Sequence, residues 1–236
     1  MHPFVQLELA GQIGLPDGRY LAREGDSERV LIVQTLGAPR GGGRRRRPQP
    51  VDTGDPEAVP VTRVMVAAGR ELDGKRDASA WLDSATGDAE ARAAEVRSAT
   101  RLINRALNAL RAEARDPLVQ DIGASRALAV RLGYGTGEQL ADGGWTEARE
   151  LPPPRRGRLE DVDPQTRVAA VLAGREEVHP AETLLQRARL DEQQGRGAEA
   201  RYGLRAARAA LGDDPPPREQ ELREQCDALE RRLRPG

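Results

Sequence analysis

One segment, opening at Asp88 and closing at Asp116-Pro117, sets the scale for everything around it. Val96, Ala99, Ile103, Ala106 and Leu110 recur at steps of three and four, which is one apolar stripe of a helix, and Leu102 and Leu107 widen it. Asp88 is a residue type that caps helices, and the residue before a proline is pushed out of helical geometry. The helix is therefore predicted from Asp88 to about Arg115. At about 1.5 Å per residue it spans roughly 40 Å, enough to lie across a whole sheet. A stripe of that length needs a broad apolar surface to cover it.

The sequence supplies strands for that purpose. In Val5-Gln6-Leu7-Glu8-Leu9 apolar and polar residues alternate, so Val5, Leu7 and Leu9 are expected on the buried face of a half-buried strand. Leu15-Pro16-Asp17-Gly18 reads as a turn with Gly18 taking a positive φ. Arg19 to Arg23 and Arg29 to Leu36 read as two more strands around Gly25-Asp26-Ser27. Val61 to Ala67 is a fourth. Asp77 is placed to cap a short helix carrying Trp81 and Leu82. Arg126 to Tyr134 and Trp145 to Leu151 read as partner strands with Asp142-Gly143 as their hairpin signal. These elements make an α+β fold: a small antiparallel or mixed sheet with the long helix packed on one face. Between them, residues 39–58 hold three consecutive glycines, Arg44 to Arg47 and four prolines with no apolar period, the composition of a linker or exposed loop.

A second break comes at Pro152 to Arg158, with three prolines, three arginines and a glycine. The expected organisation is an α+β domain over 1–151, interrupted by 39–58, a linker over 152–158, and a helical module over 159–236. Asp163-Pro164 starts the first helix of the module and Gly174 stops it. Pro180 opens the second, Gly195 and Gly197 break it, and the third runs to Gly212. Pro217 opens the fourth, whose face carries Leu222, Cys226, Leu229 and Leu233. Glu219 with Arg223, Asp227 with Arg231 and Glu230 with Arg234 are spaced as intrahelical ion pairs.

Within this module Gln194-Gly195-Arg196, Glu199-Ala200, Leu204, Ala207 and Asp214-Pro215 follow one another in order. With Ala188 as the small residue where two helices cross, the stretch from Ala181 to Pro215 resembles a single tetratricopeptide repeat, whose period is about 34 residues. The same residues also suit a generic Ala-rich helical hairpin. The resemblance implies protein binding, with Ala188, Ala200 and Ala207 setting the packing distance. It makes Leu185, Arg189 and Glu192, on one side of the first helix, the candidate partner contacts. No family resemblance extends over the rest of the chain.

Composition excludes more than it assigns. Aromatics are 3% of the residues, so a site built on ring stacking has little to draw on. One cysteine, Cys226, rules out an internal disulfide, and His2, His179 and Cys226 lie too far apart in sequence to suggest a metal site. The run Gly133-Tyr134-Gly135-Thr136-Gly137-Glu138 lacks the strand–loop–helix context of a phosphate loop and reads as a glycine-rich hairpin loop. His179, before Pro180, reads as a helix cap. No set of acid, base and nucleophile stands out, so no catalytic residue, cofactor or metal is expected.

The longest aliphatic run, Val30 to Val33, is four residues, against roughly 20 for a membrane span. The first residues show no basic stretch followed by an apolar one. The expectation is a cytoplasmic, non-catalytic adaptor that binds an unidentified protein partner and no membrane. The alternative is a nucleic-acid-associated accessory protein using Arg44, Arg45, Arg46 and Arg47, with an enzyme as the third choice. Only Lys75 among the 37 basic residues is not arginine, so each arginine cluster carries less weight than usual.

Overall fold

The computed structural model describes residues 1–25, 27–37, 59–152, 164–212, 216 and 219–234. The chain divides into two compact units, Met1–Arg156 and Gly157–Gly236. The first is an antiparallel sheet with helices; the second is helical.

Six strands form the sheet: β1 (His2–Ala10), β2 (Gly18–Glu24), β3 (Ser27–Leu36), β4 (Val61–Ala68), β5 (Ala127–Gly135) and β6 (Glu147–Glu150). Their order is β2-β3-β4-β1-β5-β6, and every neighbouring pair is antiparallel. β1 lies inside the sheet, with Val5 opposite Val66 of β4 and Leu132 of β5. Two helices follow the first four strands: α1 (Gly74–Gly87) and α2 (Ala89–Ala114). Val5, Leu7 and Leu9 of the sheet join Leu82 of α1 and Ala99, Leu102, Ile103 and Leu107 of α2 in the main core. The burial sits deeper on Leu102, Ile103 and Leu107 than on Val96 and Ala106, which pack at its margin. Asn104, also buried, is satisfied by the backbone of Ile122, donating to its oxygen at 2.9 Å and accepting from its nitrogen at 2.8 Å.

The opposite face of the sheet is covered too, which period-two alternation on β1 does not convey. Phe4, Ile32, Met65 and Ala67 form a second cluster there with Leu140, and Trp145 packs against it with ring centroids 6.0 Å from Phe4. β1 is thus buried on both faces rather than one. Along the same face Glu8 accepts from Arg63 at 3.2 Å and from Arg131 at 2.9 Å, while Arg131 also reaches Glu150 at 2.8 Å. Gln6, fully buried, donates to Glu8 at 3.3 Å.

Two local expectations change. Between β5 and β6 the chain forms a helical turn, α3 (Gly137–Ala141), instead of a simple glycine-rich hairpin loop. Thr136 and Gln139 cap each other reciprocally, and Leu140 drops into the sheet cluster, so burial and capping outweigh the neighbouring glycines. Gly18 does take a positive φ, 159°, where it opens β2, and Gly11 and Gly14 of the same loop are left-handed at φ 78° and 87°. α1 begins at Gly74, placing Asp77 inside its first turn rather than at its cap.

The second unit contains α4 (Pro164–Leu172), α5 (Pro180–Gln193), α6 (Gly197–Leu211) and α7 (Gln220–Leu233). α5 and α6 form a hairpin broken by Gly195, at φ 75°. Ala188, Ala200 and Ala207 are all fully buried within it. The two helices approach closely at Gly203, where a Cβ would come within 3.1 Å of the Ala188 Cβ. α7 lays Cys226 and Leu229 into the same core as Leu185, Leu204 and Leu211. Its charges serve a different purpose from the expected intrahelical ladder: Asp227 and Glu230 both meet Arg208 of α6. They face α6 because the apolar stripe of α7 turns that edge of the helix inward.

Candidate functional site

The helical unit was expected to present Leu185, Arg189 and Glu192 to a partner. The structure gives all three to α7. Leu185 is completely buried among Ala188, Leu204, Cys226 and Leu229. Arg189 donates to Gln225 Oε1 at 2.8 Å, and Glu192 accepts from Arg232 at 3.0 Å. The physical reason is that one helical hairpin cannot bury its own apolar face, and α7 is the neighbouring amphipathic helix that does so. That face is interior, not a groove. The alternative contact set, Arg44, Arg45, Arg46 and Arg47, lies outside the described residues.

With that side consumed, the exposed outer side of α6 is the surface with chemistry to offer. Leu204, Ala207 and Leu211 commit the inner side of α6 to the core, which turns Arg201, Tyr202 and Arg205 outward. Tyr202 is 68% exposed, while Phe4 and Tyr134 are fully buried and Trp81 and Trp145 are half-buried. The Arg205 guanidinium covers the Tyr202 ring at 4.5 Å from its centroid. Such stacking holds a long side chain in one orientation while leaving its N–H groups free to donate. Among the described residues neither Arg201 nor Arg205 has an acidic partner, so their charge is uncompensated. The triplet is an aromatic platform edged by two cations.

His179 keeps the role its place before Pro180 implies. Its Nδ1 accepts from the backbone of Ala181 at 3.2 Å, capping α5, and Glu182 accepts in return from the His179 backbone at 3.3 Å. Cys226 is packed against α5 and α6, and burial pushes its thiol up from its ordinary pKa, away from the reactive thiolate. In the first unit Tyr134 is likewise raised, first by its hydrogen bond to Glu147 at 2.7 Å and then by burial. Among the described residues no three His, Cys, Asp or Glu side chains gather as metal ligands, and no helix is long and apolar enough to cross a membrane.

Sequence reasoning missed the α6 triplet because Tyr202 and Arg205 lie inside a segment that reads as Ala-rich packing. The usable signal was the aromatic itself, one of six in the chain, three residues before an arginine on the side away from Leu204 and Ala207. No protein-family description, no curated protein and no solved structure matches this chain.

Proposed function

We propose that this chain is a non-catalytic protein-binding adaptor whose helical unit captures an acidic segment of its partner on the outer side of α6. The observation that carries the reading is the exposed Tyr202 ring with the Arg205 guanidinium stacked on it at 4.5 Å. Tyrosine and arginine are the residue types that dominate binding energy at protein interfaces, because they bring large contact area and several donors at low entropic cost. Arginine meets carboxylates through paired N–H donors, and the two uncompensated cations here favour an acidic surface over an apolar one. The buried alanines and Leu185 then serve the scaffold, and the resemblance to a tetratricopeptide repeat bears on packing rather than on the contact.

The test is selection of peptides from a random displayed library by the full chain. The expected result is enrichment of Asp- and Glu-rich peptides whose binding falls about tenfold or more in Tyr202→Ala and in Arg205→Glu. Both side chains are exposed, so the melting temperature should stay within about 2 °C of the parent. Enrichment without acidic preference, or binding indifferent to both substitutions, would remove α6 from the contact. Preferential, salt-sensitive capture of nucleic acid would replace the reading altogether.

A further inference from the structure

On the helix-bearing face of the sheet, successive rows of residues differ in how well they fill the space under α1 and α2. One row, Leu31, Val66, Val5 and Leu132, is branched and buried throughout. In the next row toward the strand ends Arg29 pairs with Ala68 and Pro3 with Tyr134; Tyr134 is buried in the core, but Ala68 is too short to reach the helices. Ala99 of α2, opposite it, is also small. The layers therefore part, leaving a cleft of about 620 Å³ with Trp81 of α1 in its wall. That volume is within the range of about 300–1,000 Å³ that small-molecule sites occupy.

The charges around this cleft are unevenly satisfied. Arg29 is held in place by the Ser98 hydroxyl at 2.7 Å, with Glu24 farther off at 3.8 Å. Glu28 is occupied by Arg23 at 2.9 Å. Arg70 and Glu95 both line the cleft, and among the described residues neither has an ion-pair partner, including each other. Opposite charges that share a cleft without pairing are held apart. A molecule carrying both charges can meet them together, with an apolar body against the Trp81 indole.

We infer that this cleft binds a small zwitterion with an apolar body, of the class of an aromatic or aliphatic amino acid or short peptide. Its carboxylate goes to the guanidinium of Arg29 or Arg70 and its ammonium to Glu95. The guanidinium of Arg29, already oriented by Ser98, accounts for the carboxylate, because pre-set donors lose less freedom on binding. Glu95 accounts for the ammonium, which a site built only for acids would repel. The inference does not depend on the α6 surface.

The experiment is calorimetric titration of the full chain with L-phenylalanine, with 3-phenylpropionate, which lacks the ammonium, and with 2-phenylethylamine, which lacks the carboxylate. L-alanyl-L-phenylalanine, whose charges stand one residue farther apart, separates a free amino acid from a short peptide as the better fit. A zwitterion should bind, and each single-charge analogue should bind about tenfold more weakly or worse. Glu95→Gln should erase the difference between phenylalanine and 3-phenylpropionate without lowering the melting temperature. Ala68→Leu should fill the cleft and abolish binding; if that variant is unstable, Glu95→Gln still decides. Absence of binding by both zwitterions, equal binding of all ligands, or indifference to Glu95→Gln overturns the proposal.

Discussion

Gly133 lies inside β5, where a glycine ordinarily weakens a strand, and its environment explains the choice. A Cβ there would approach the Glu147 carbonyl oxygen to 2.4 Å and the Phe4 ring to 2.7 Å. The glycine lets β6 close on β5 while the Phe4 ring packs on the same face, tilted 38° to Trp145. Gly133→Ala must displace either a backbone carbonyl or a packed ring, and it should cost about 2–3 kcal/mol. In urea denaturation the midpoint should fall with the slope unchanged, and Phe4→Leu in the same chain should recover part of the loss. An unaltered midpoint would show that β6 yields freely. Glu8 is the other residue whose importance comes from its neighbours: it is the acceptor shared by Arg63 and Arg131, brought from the adjoining strands by register, and by Gln6, two residues before it on the same face of β1.

α2 shows how an element's ends can be written locally. Asp88 accepts from the backbone N–H groups of Ala91 at 3.0 Å and Glu90 at 3.2 Å, and these bonds hold its carboxyl below the ordinary aspartate range. A carboxyl lowered in the folded state stabilises that state fully above its unfolded pKa of about 4, and the contribution is lost as pH falls through the lowered value. The parent chain should therefore lose more stability than Asp88→Asn between about pH 5 and pH 2, with the two melting curves converging at the acid end. At pH 7 the substitution should be mild, since asparagine also caps helices. A constant gap between the two across that range would mean the cap does not titrate with folding. α3 is the contrasting element. Its capping pair, Thr136 and Gln139, was present in the sequence, but one helical turn between glycines has no periodicity to reveal it, and only the burial of Leu140 on the sheet makes it worthwhile.

The two units carry separate hydrophobic clusters, one joining the sheet to α1 and α2 and the other joining α5, α6 and α7. Fragments Met1–Arg156 and Gly157–Gly236 should each fold alone, the second giving a helical circular dichroism spectrum and its own cooperative melt. A non-cooperative melt of the second fragment would show that its core is insufficient by itself. Strands β1 to β6, α2 with both of its limits, and the succession of helices after Pro164 were legible because alternation, stripes and caps act between residues a few positions apart. The Leu185–Arg189–Glu192 face was misread for the same reason. Its spacing on α5 identifies one side of a helix, but whether that side meets water or another helix depends on Gln225 and Arg232, 36 and 40 residues after their partners, and on Cys226 and Leu229 between them. The α6 platform and the cleft beneath Trp81 have the same origin: Arg29, Arg70, Trp81 and Glu95 come from three elements and the end of a fourth. The sequence by itself determined which segments become strands and helices, since those are short-range consequences of steric preference and periodic hydrophobicity. Tertiary structure alone decided which faces are covered and which charges are left unpaired, because burial is a property of the surfaces that meet and not of either strand of residues alone.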